Sequence, residues 1–370
     1  MEIVDIEYLL IFSLFTFCFY FSIKEEKSNV LSIVHPHTSI FLKAFCCLVI
    51  IVHHYALRKE GGIVNHVFEI GGGTYALVIF LFLSSYGIVK SEIKHETKWN
   101  EYFRHRLWKL LLPYLFVTLI SIGVYDLIGA HANVEELRSA RISPAFVAFY
   151  GGDVTFVDIL GYVLGYKSFS SSMWFVGVTV CSYVAFGISK WLVTKDCKYN
   201  FLEKRHRILL VYTLSLCAFA IFTYINPKEF PAHYYRNLWA LWLGMVAALY
   251  EKEILSRSIM VKASLYLLMN VLMLGWLTLT SSGDKMYYIF ANVAIVSIML
   301  GNTVFRNYCL KPNSLICHLS LLSYCVYLIH GKVLTIEWWY MGYNSVILVV
   351  AICIVLSYFT NKLMNYVLRK

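Results

Sequence analysis

The sequence is poor in charge. Only 15% of its 370 residues are Asp, Glu, Lys or Arg, where soluble domains carry about a quarter. With 59% of residues hydrophobic and 17% aromatic, a water-soluble globule of this make-up would aggregate. The chain is therefore expected to be a polytopic membrane protein. No Walker-type loop, zinc-ligand spacing or dinucleotide fingerprint occurs, which argues against a nucleotide-driven pump and against a metal centre. Internal repeats, low-complexity tracts and Pro/Ser-rich linkers are missing as well. None of the ten cysteines falls in an expected outer loop, so no disulfide framework is implied. The net charge of +10 does not make a phosphate-binding footprint, because the basic residues sit between apolar runs. They read as topology signals, and no nucleic-acid partner is expected.

What is present is a series of apolar runs of spanning length. They lie at about 3–23, 39–57, 74–90, 107–128, 173–194, 208–225, 237–250, 258–281, 286–304, 319–336 and 345–366. About eleven spans are expected, in an all-α transmembrane bundle, with 237–250 the weakest of them. The first run is not a signal peptide, since Glu2, Asp5 and Glu7 flank it in place of basic residues. Placing the N-terminus outside and the C-terminus inside puts most of the lysines and arginines in cytoplasmic segments. Lys90, Lys94, Lys98, Arg104, Arg106 and Lys109 are among them. In that topology 90–109 is a basic amphipathic cytoplasmic segment, and 129–172 a long outer one carrying Asp153 and Asp158. Loops of that length are usually functional or disordered.

One run carries the chemistry. Residues 39–57, SIFLKAFCCLVIIVHHYAL, hold one lysine near the start, Lys43, and two histidines near the end, His53 and His54. Ionisable groups in a spanning segment are costly and mark function by default. From Lys43 to His54 is almost three helical turns, so the two side chains share a face about 16 Å apart along the axis. His53 points about 100° away from that face, which gives it no share in the same role. A plainer reading stays open, in which Lys43 snorkels to a headgroup and His54 is interfacial. Arg104, His105, Arg106 and Lys109 also read as a positive-inside stop signal, and Trp174 as an interfacial belt aromatic. Tyr324, Tyr327 and His330 follow one another at i, i+3 and form a single stripe, a pattern common as helix–helix glue in membranes. Cys46 and Cys47 read as packing residues.

Several motifs line up in order. The spacing of Lys43 and His54 resembles the Arg-x10-His signature of the acyltransferase-3 family of integral-membrane O-acyltransferases. IFLFLSSYG (79–87) resembles the family's FFxLSGYG stretch, and YFRHRLWKLLLPY (102–114) its basic loop entering a Pro-containing span. Met173–Trp174–Phe175, LWLGMVAALYEKEI (241–254) and SYCVYLIHG (323–331) resemble three further family segments. Two departures stand out. Lys43 replaces the family's arginine, which keeps the charge but loses the bidentate fork, and Ser85 replaces a usual glycine. The likeness runs from about residue 39 to the end. It implies a membrane acyltransferase domain over 39–370, with 1–38 an extra N-terminal span and cytoplasmic connector before a ten-helix core, and no attached SGNH-type domain.

The resemblance further implies transfer of an acyl group, acetyl above all, from cytosolic acyl-CoA across a bacterial cytoplasmic (inner) membrane. The acceptor would be a hydroxyl of a surface glycan or a lipid-linked glycan precursor. His54 is the expected general base, and Lys43, Arg104 and Arg106 the expected phosphate-holding residues for acyl-CoA. Trp174, Tyr324, Tyr327 and His330 are placed on the acceptor side or in support. No cofactor is expected to be permanently bound, acyl-CoA being a substrate. Membrane lipids are the remaining partners, and the sequence leaves room for a homo-oligomer. The rival reading is a polytopic transporter or flippase for a lipid-linked glycan, for which the repeat symmetry between halves is missing.

Overall fold

The computed structural model describes residues 3–24, 32–59, 61–95, 97–129, 155–165, 173–194, 204–227, 230, 232–258, 282–304, 309–310, 312–341 and 345–369, with isolated positions between 260 and 271. Almost everything described is helical. Among the described residues seven helices are long and apolar enough to cross a membrane, which makes this an integral membrane protein. They are α1 (Ile3–Tyr20), α2 (Pro36–Ala56), the continuous helix Ile63–Lys94, α7 (Trp174–Thr194), α8 (Arg205–Ile225), α13 (Ser314–Met341) and α14 (Val346–Arg369), the span on α13 being Ser314–Leu334. Within Ile63–Lys94, α3 (Ile63–Val67) and α4 (Gly73–Lys94) are joined by a π-helical turn, Phe68–Gly72.

These seven helices match seven of the eleven expected runs. The 107–128 run lies in α5 (Trp99–Gly129), a helix of 31 residues. The 237–250 run is α10 (Leu238–Leu249), only 12 residues long, and the 286–304 run lies in α12 (Ser282–Val304), whose apolar part is Met286–Ile298. The 258–281 run falls largely outside the described residues, as does most of 129–172. Asp158 in the latter is seen to cap a short helix, α6 (Phe156–Val163), in a reciprocal pair with Thr155.

The chain divides into two compact units. The first comprises Met1–Leu83, Val246–Tyr324 and Ser345–Ala351, the second Ser84–Met245, Cys325–Asn344 and Ile352–Lys370. At the centre of the first is α2. Pro36 opens it with a preset φ, and the His35 ring accepts the His37 N–H as its N-cap. Every residue from Cys46 to Val52 is then buried, the two cysteines included. Around α2 the polar groups find definite partners. Ser32 and the Ile33 amide donate to the Glu251 carboxylate at 3.0 and 2.7 Å. A two-residue antiparallel pair joins β1 (Ile23–Lys24) to β2 (Cys309–Leu310). From α1, Glu7 takes the Ser345 hydroxyl and the Val346 amide, each at 2.8 Å, at the start of α14.

In the second unit α7 packs against both α5 and α8. Small and hydroxylic residues make the close contacts, as is usual between helices in lipid. Gly187 receives the Phe103 ring where a side chain would collide. Ser182 bonds Tyr212 at 2.8 Å, Ser84 bonds Tyr183 at 3.1 Å, and the Tyr102 hydroxyl donates to the Tyr183 carbonyl at 3.1 Å.

Candidate active site

In the first unit the candidate chemistry gathers at the Ala56 end of α2. Because α2 is unbroken from Pro36 to Ala56, Lys43 and His54 sit on it with the axial offset of about 16 Å that eleven helical steps require. Both are half-buried, as is His53. The His53 Nδ1–H donates to the Phe68 carbonyl at 2.7 Å, so Nδ1 carries a proton. Phe68 opens the π-helical turn. Such turns offset the carbonyl ladder and recur at functional sites. The His53 ring then lies over Gly73, where a Cβ would overlap its Nε2 edge. The 100° offset along the helix does not part the two histidines. Their ring centroids are 4.9 Å apart at an interplanar angle of 67°, so His53 is a held ring that flanks His54.

The second unit contains a cavity of about 310 Å³ lined by Ser91, Glu92, Thr97, Tyr102, His105, Arg106 and Lys109. Its acidic wall is already neutralised. Lys190 from α7 donates to Glu92 at 2.6 Å, with the side chains 6% and 1% exposed. Glu92 also accepts the Thr97 amide at 3.1 Å and hydroxyl at 2.7 Å, and Lys190 reaches the Thr97 carbonyl. Both Glu92 oxygens are therefore occupied and the Lys190 ammonium has two acceptors, the kind of hydrogen bonding a buried ion pair requires. The cations that remain on its wall are the guanidinium of Arg106 and the ammonium of Lys109, with the His105 imidazole and the Ser91 hydroxyl beside them. Arg104 is exposed and does not line the cavity.

Trp174, Tyr327 and His330, singled out by sequence, join a chain of contacts within the second unit, while Tyr324 belongs to the first. Trp174, half-buried, stacks on His233 in α9 (His233–Arg236) with centroids 5.2 Å apart and rings 24° from parallel. Burial pushes the His233 imidazole below its ordinary value, and the nearby Arg236 charge adds to this. The next residue, Phe175, donates its amide to the Tyr327 hydroxyl at 3.2 Å. Tyr327 packs 5.7 Å from His330, which is fully buried and donates Nδ1–H to the Val326 carbonyl at 3.2 Å. Tyr324, one turn before Tyr327 on α13, is half-buried. Groups of three or more His, Cys, Asp or Glu arranged to hold a metal do not occur among the described residues.

Four residues went unread in the sequence. Asn65 is buried between α1 and α2, Glu92 and Lys190 pair across 98 positions, and His233 covers Trp174. The signal available for Glu92 and Lys190 was an ionisable residue near the end of a spanning run. Asn65 and His233 lay in segments between runs and carried none.

Helix α2 thus carries a half-buried histidine pair near its Ala56 end and Lys43 on the same unbroken stretch. Residues 39–360 match the family model described as "Acyltransferase domain". The chain belongs to the acyltransferase-3 family and is a membrane acyltransferase. The curated proteins and the solved structures contain no match to it.

Proposed function

We propose that the protein moves an acyl group, acetyl in the simplest case, from cytosolic acyl-CoA to a hydroxyl of a surface glycan or its lipid-linked precursor, in a bacterial cytoplasmic membrane with the N-terminus outside. The observation that carries this reading is the histidine pair at one end of α2, with Lys43 on the same unbroken helix. His54 takes the proton from the acceptor hydroxyl as its oxygen attacks the thioester carbonyl carbon. The new C–O bond forms, the C–S bond breaks, and the departing CoA sulfur takes up the proton. Transfer is direct, with no acyl-enzyme. Lys43 holds a CoA phosphate as a point charge, and Arg106 adds a guanidinium that is able to grip a second phosphate bidentately. Lys109, beside Arg106 in the same cavity, joins them. Arg104, exposed, serves at the rim or as a topology signal.

The test is mass spectrometry of cell-surface glycans with and without the gene, together with acetyl transfer from labelled acetyl-CoA in membrane vesicles. An acyl mass increment that disappears with the gene, and label appearing in glycan, supports the reading. Unchanged acylation, with lipid-linked glycan accumulating on the inner face, would identify a flippase instead. Lys43→Ala should raise the KM for acetyl-CoA with kcat changed much less, and Lys43→Arg should preserve affinity.

A further inference from the structure

Helix α1 lies before the residues that match the family model, and most of its surface is exposed apolar side chain such as Leu10, Leu14 and Phe17. Its other face is polar in a specific way. Asp5 is 3% exposed and Tyr8 is fully buried, and both are spent on one residue. The Tyr8 hydroxyl donates to the Asn65 side-chain oxygen at 2.6 Å, and Asp5 Oδ1 accepts the Asn65 amide at 3.1 Å. The Asn65 Nδ2 group donates on to the Lys59 carbonyl at 3.0 Å and, more loosely, to the Ala56 carbonyl at 3.5 Å. Asn65 thus ties α1 to the last turn of α2 and to the start of the helix beginning at Ile63. The approach is close enough that a Cβ at Gly62 would overlap the Asp5 carboxylate. One turn beyond Asn65, the Phe68 ring is gripped by α1 again. Tyr8 meets it edge-on at 5.6 Å, and Phe12 stacks on it at 5.0 Å with the rings 10° from parallel. Phe68 is the residue whose carbonyl holds the His53 Nδ1–H.

We infer that α1 is a positioning element for the histidine pair. Through Asp5, Tyr8 and Phe12 it fixes residues 65 and 68, which set where the Phe68 carbonyl stands. That carbonyl fixes the tautomer and tilt of His53, and His53 flanks His54. A helix that bound only lipid and its neighbours would need none of these groups, since apolar packing alone suffices in a bilayer. Buried polar side chains in lipid are costly unless fully partnered, and here each is aimed at the segment that orients an imidazole. The inference rests on His54 as the base, and its test is arranged to separate the two.

The full chain is purified in detergent as wild type, Tyr8→Phe, Asp5→Asn and Phe12→Leu, the last breaking the ring stack without touching a hydrogen bond. Reaction of His53 and His54 with diethyl pyrocarbonate is followed by mass spectrometry, and acetyl transfer from acetyl-CoA is followed in membrane vesicles. The expected result is faster modification of His53 and a fall in the maximal transfer rate of about three- to tenfold, the range one neutral hydrogen bond commands. The KM for acetyl-CoA should not change. In a His53→Ala background, where nothing donates to the Phe68 carbonyl, the Tyr8→Phe loss should disappear, because the effect passes through His53. Equal modification rates in all four proteins, or a Tyr8→Phe loss undiminished by His53→Ala, would overturn the inference. If His53 reactivity responds as expected while no version transfers acetyl, the positioning stands and the acyltransferase mechanism built on His54 fails. If Tyr8→Phe does not accumulate as folded protein, Phe12→Leu gives the same reading without loss of a polar partner.

Discussion

Helices α2 and α8 are each 21 residues long and each long and apolar enough to cross a membrane, yet they are used in opposite ways. Of the most apolar stretch of α2, 61% is buried within the protein, against 22% for α8. The more apolar helix is the peripheral one. In water the reverse is expected, because apolar surface is driven inward. In a bilayer lipid tails satisfy Leu210, Leu214 and Ile221 of α8 as well as protein would, and these side chains stay exposed. The polar groups are what need a protein environment. Lys43, His53 and His54 place α2 inside, and α7, equally buried at 61%, carries Ser182, Ser189 and Lys190.

The largest test of that contrast is chemical. His54→Ala should lower kcat by about 10²–10⁴-fold while acyl-CoA still binds, the range of a positioned base. His53→Gln should cost far less, since its amide is able to donate to the Phe68 carbonyl as the imidazole does. Normal turnover in His54→Ala would break the assignment of α2 as the working helix.

Next in size is the buried pair. Lys190→Ala leaves the Glu92 carboxylate, 1% exposed, without its cation, and should cost about 3–5 kcal/mol of stability. Adding Glu92→Gln should restore much of the loss, because the orphaned charge is gone. Thermal unfolding in detergent of the two single variants and the double variant reads both effects.

A direct comparison of the two helices uses matched truncations. Ile51→Ala, at a fully buried position of α2, removes packing contacts and should lower the unfolding temperature clearly. Leu214→Ala, 61% exposed on α8, should stay within about 0.5 kcal/mol of the parent. Equal losses would mean that α8 is covered by a partner.

The smallest effect expected is at the start of α2. Burial, with His37 nearby, holds the His35 imidazole below its ordinary value. The neutral ring is the form that accepts the His37 N–H. Its contribution is therefore complete above the unfolded value of about 6.5 and is lost as the pH falls through the lowered folded value. His35→Asn keeps an N-cap with no titratable group, and should flatten the acid limb of thermal stability.

Much of the helical plan was legible in the sequence. Spanning runs announce themselves by length, so 39–57 and 173–194 fall within a few residues of Pro36–Ala56 and Trp174–Thr194. The π-helical turn at 68–72 was not legible, because GlyGlyGly at 71–73 reads as loop. The close approach of Phe290 to Gly71 and of His53 to Gly73 explains why glycines stand in this helix. Partner choice was invisible for a different reason. Asp5 showed only as an acidic flank, and nothing local tells that its oxygen meets the amide of residue 65. Lys43, His54 and Arg106 were found because charge in an apolar run is conspicuous, whereas backbone carbonyls that orient a ring leave no mark on composition.

The contact of Glu7 with Ser345 and Val346 bears on how the protein is made. The partners are 338 and 339 residues apart. At about 5–20 residues added per second, the carboxylate waits on the order of 20–70 s after its own synthesis before its hydrogen-bond donors exist. During that interval α1 has been handed to the membrane but not fastened at that end. The ribosome thus sets an order of events in which the helix beside His53 is locked only as α14 arrives. A chain halted before residue 345 would carry the whole of α2 with one of the ties of α1 still open, its Glu7 carboxylate lacking these two donors.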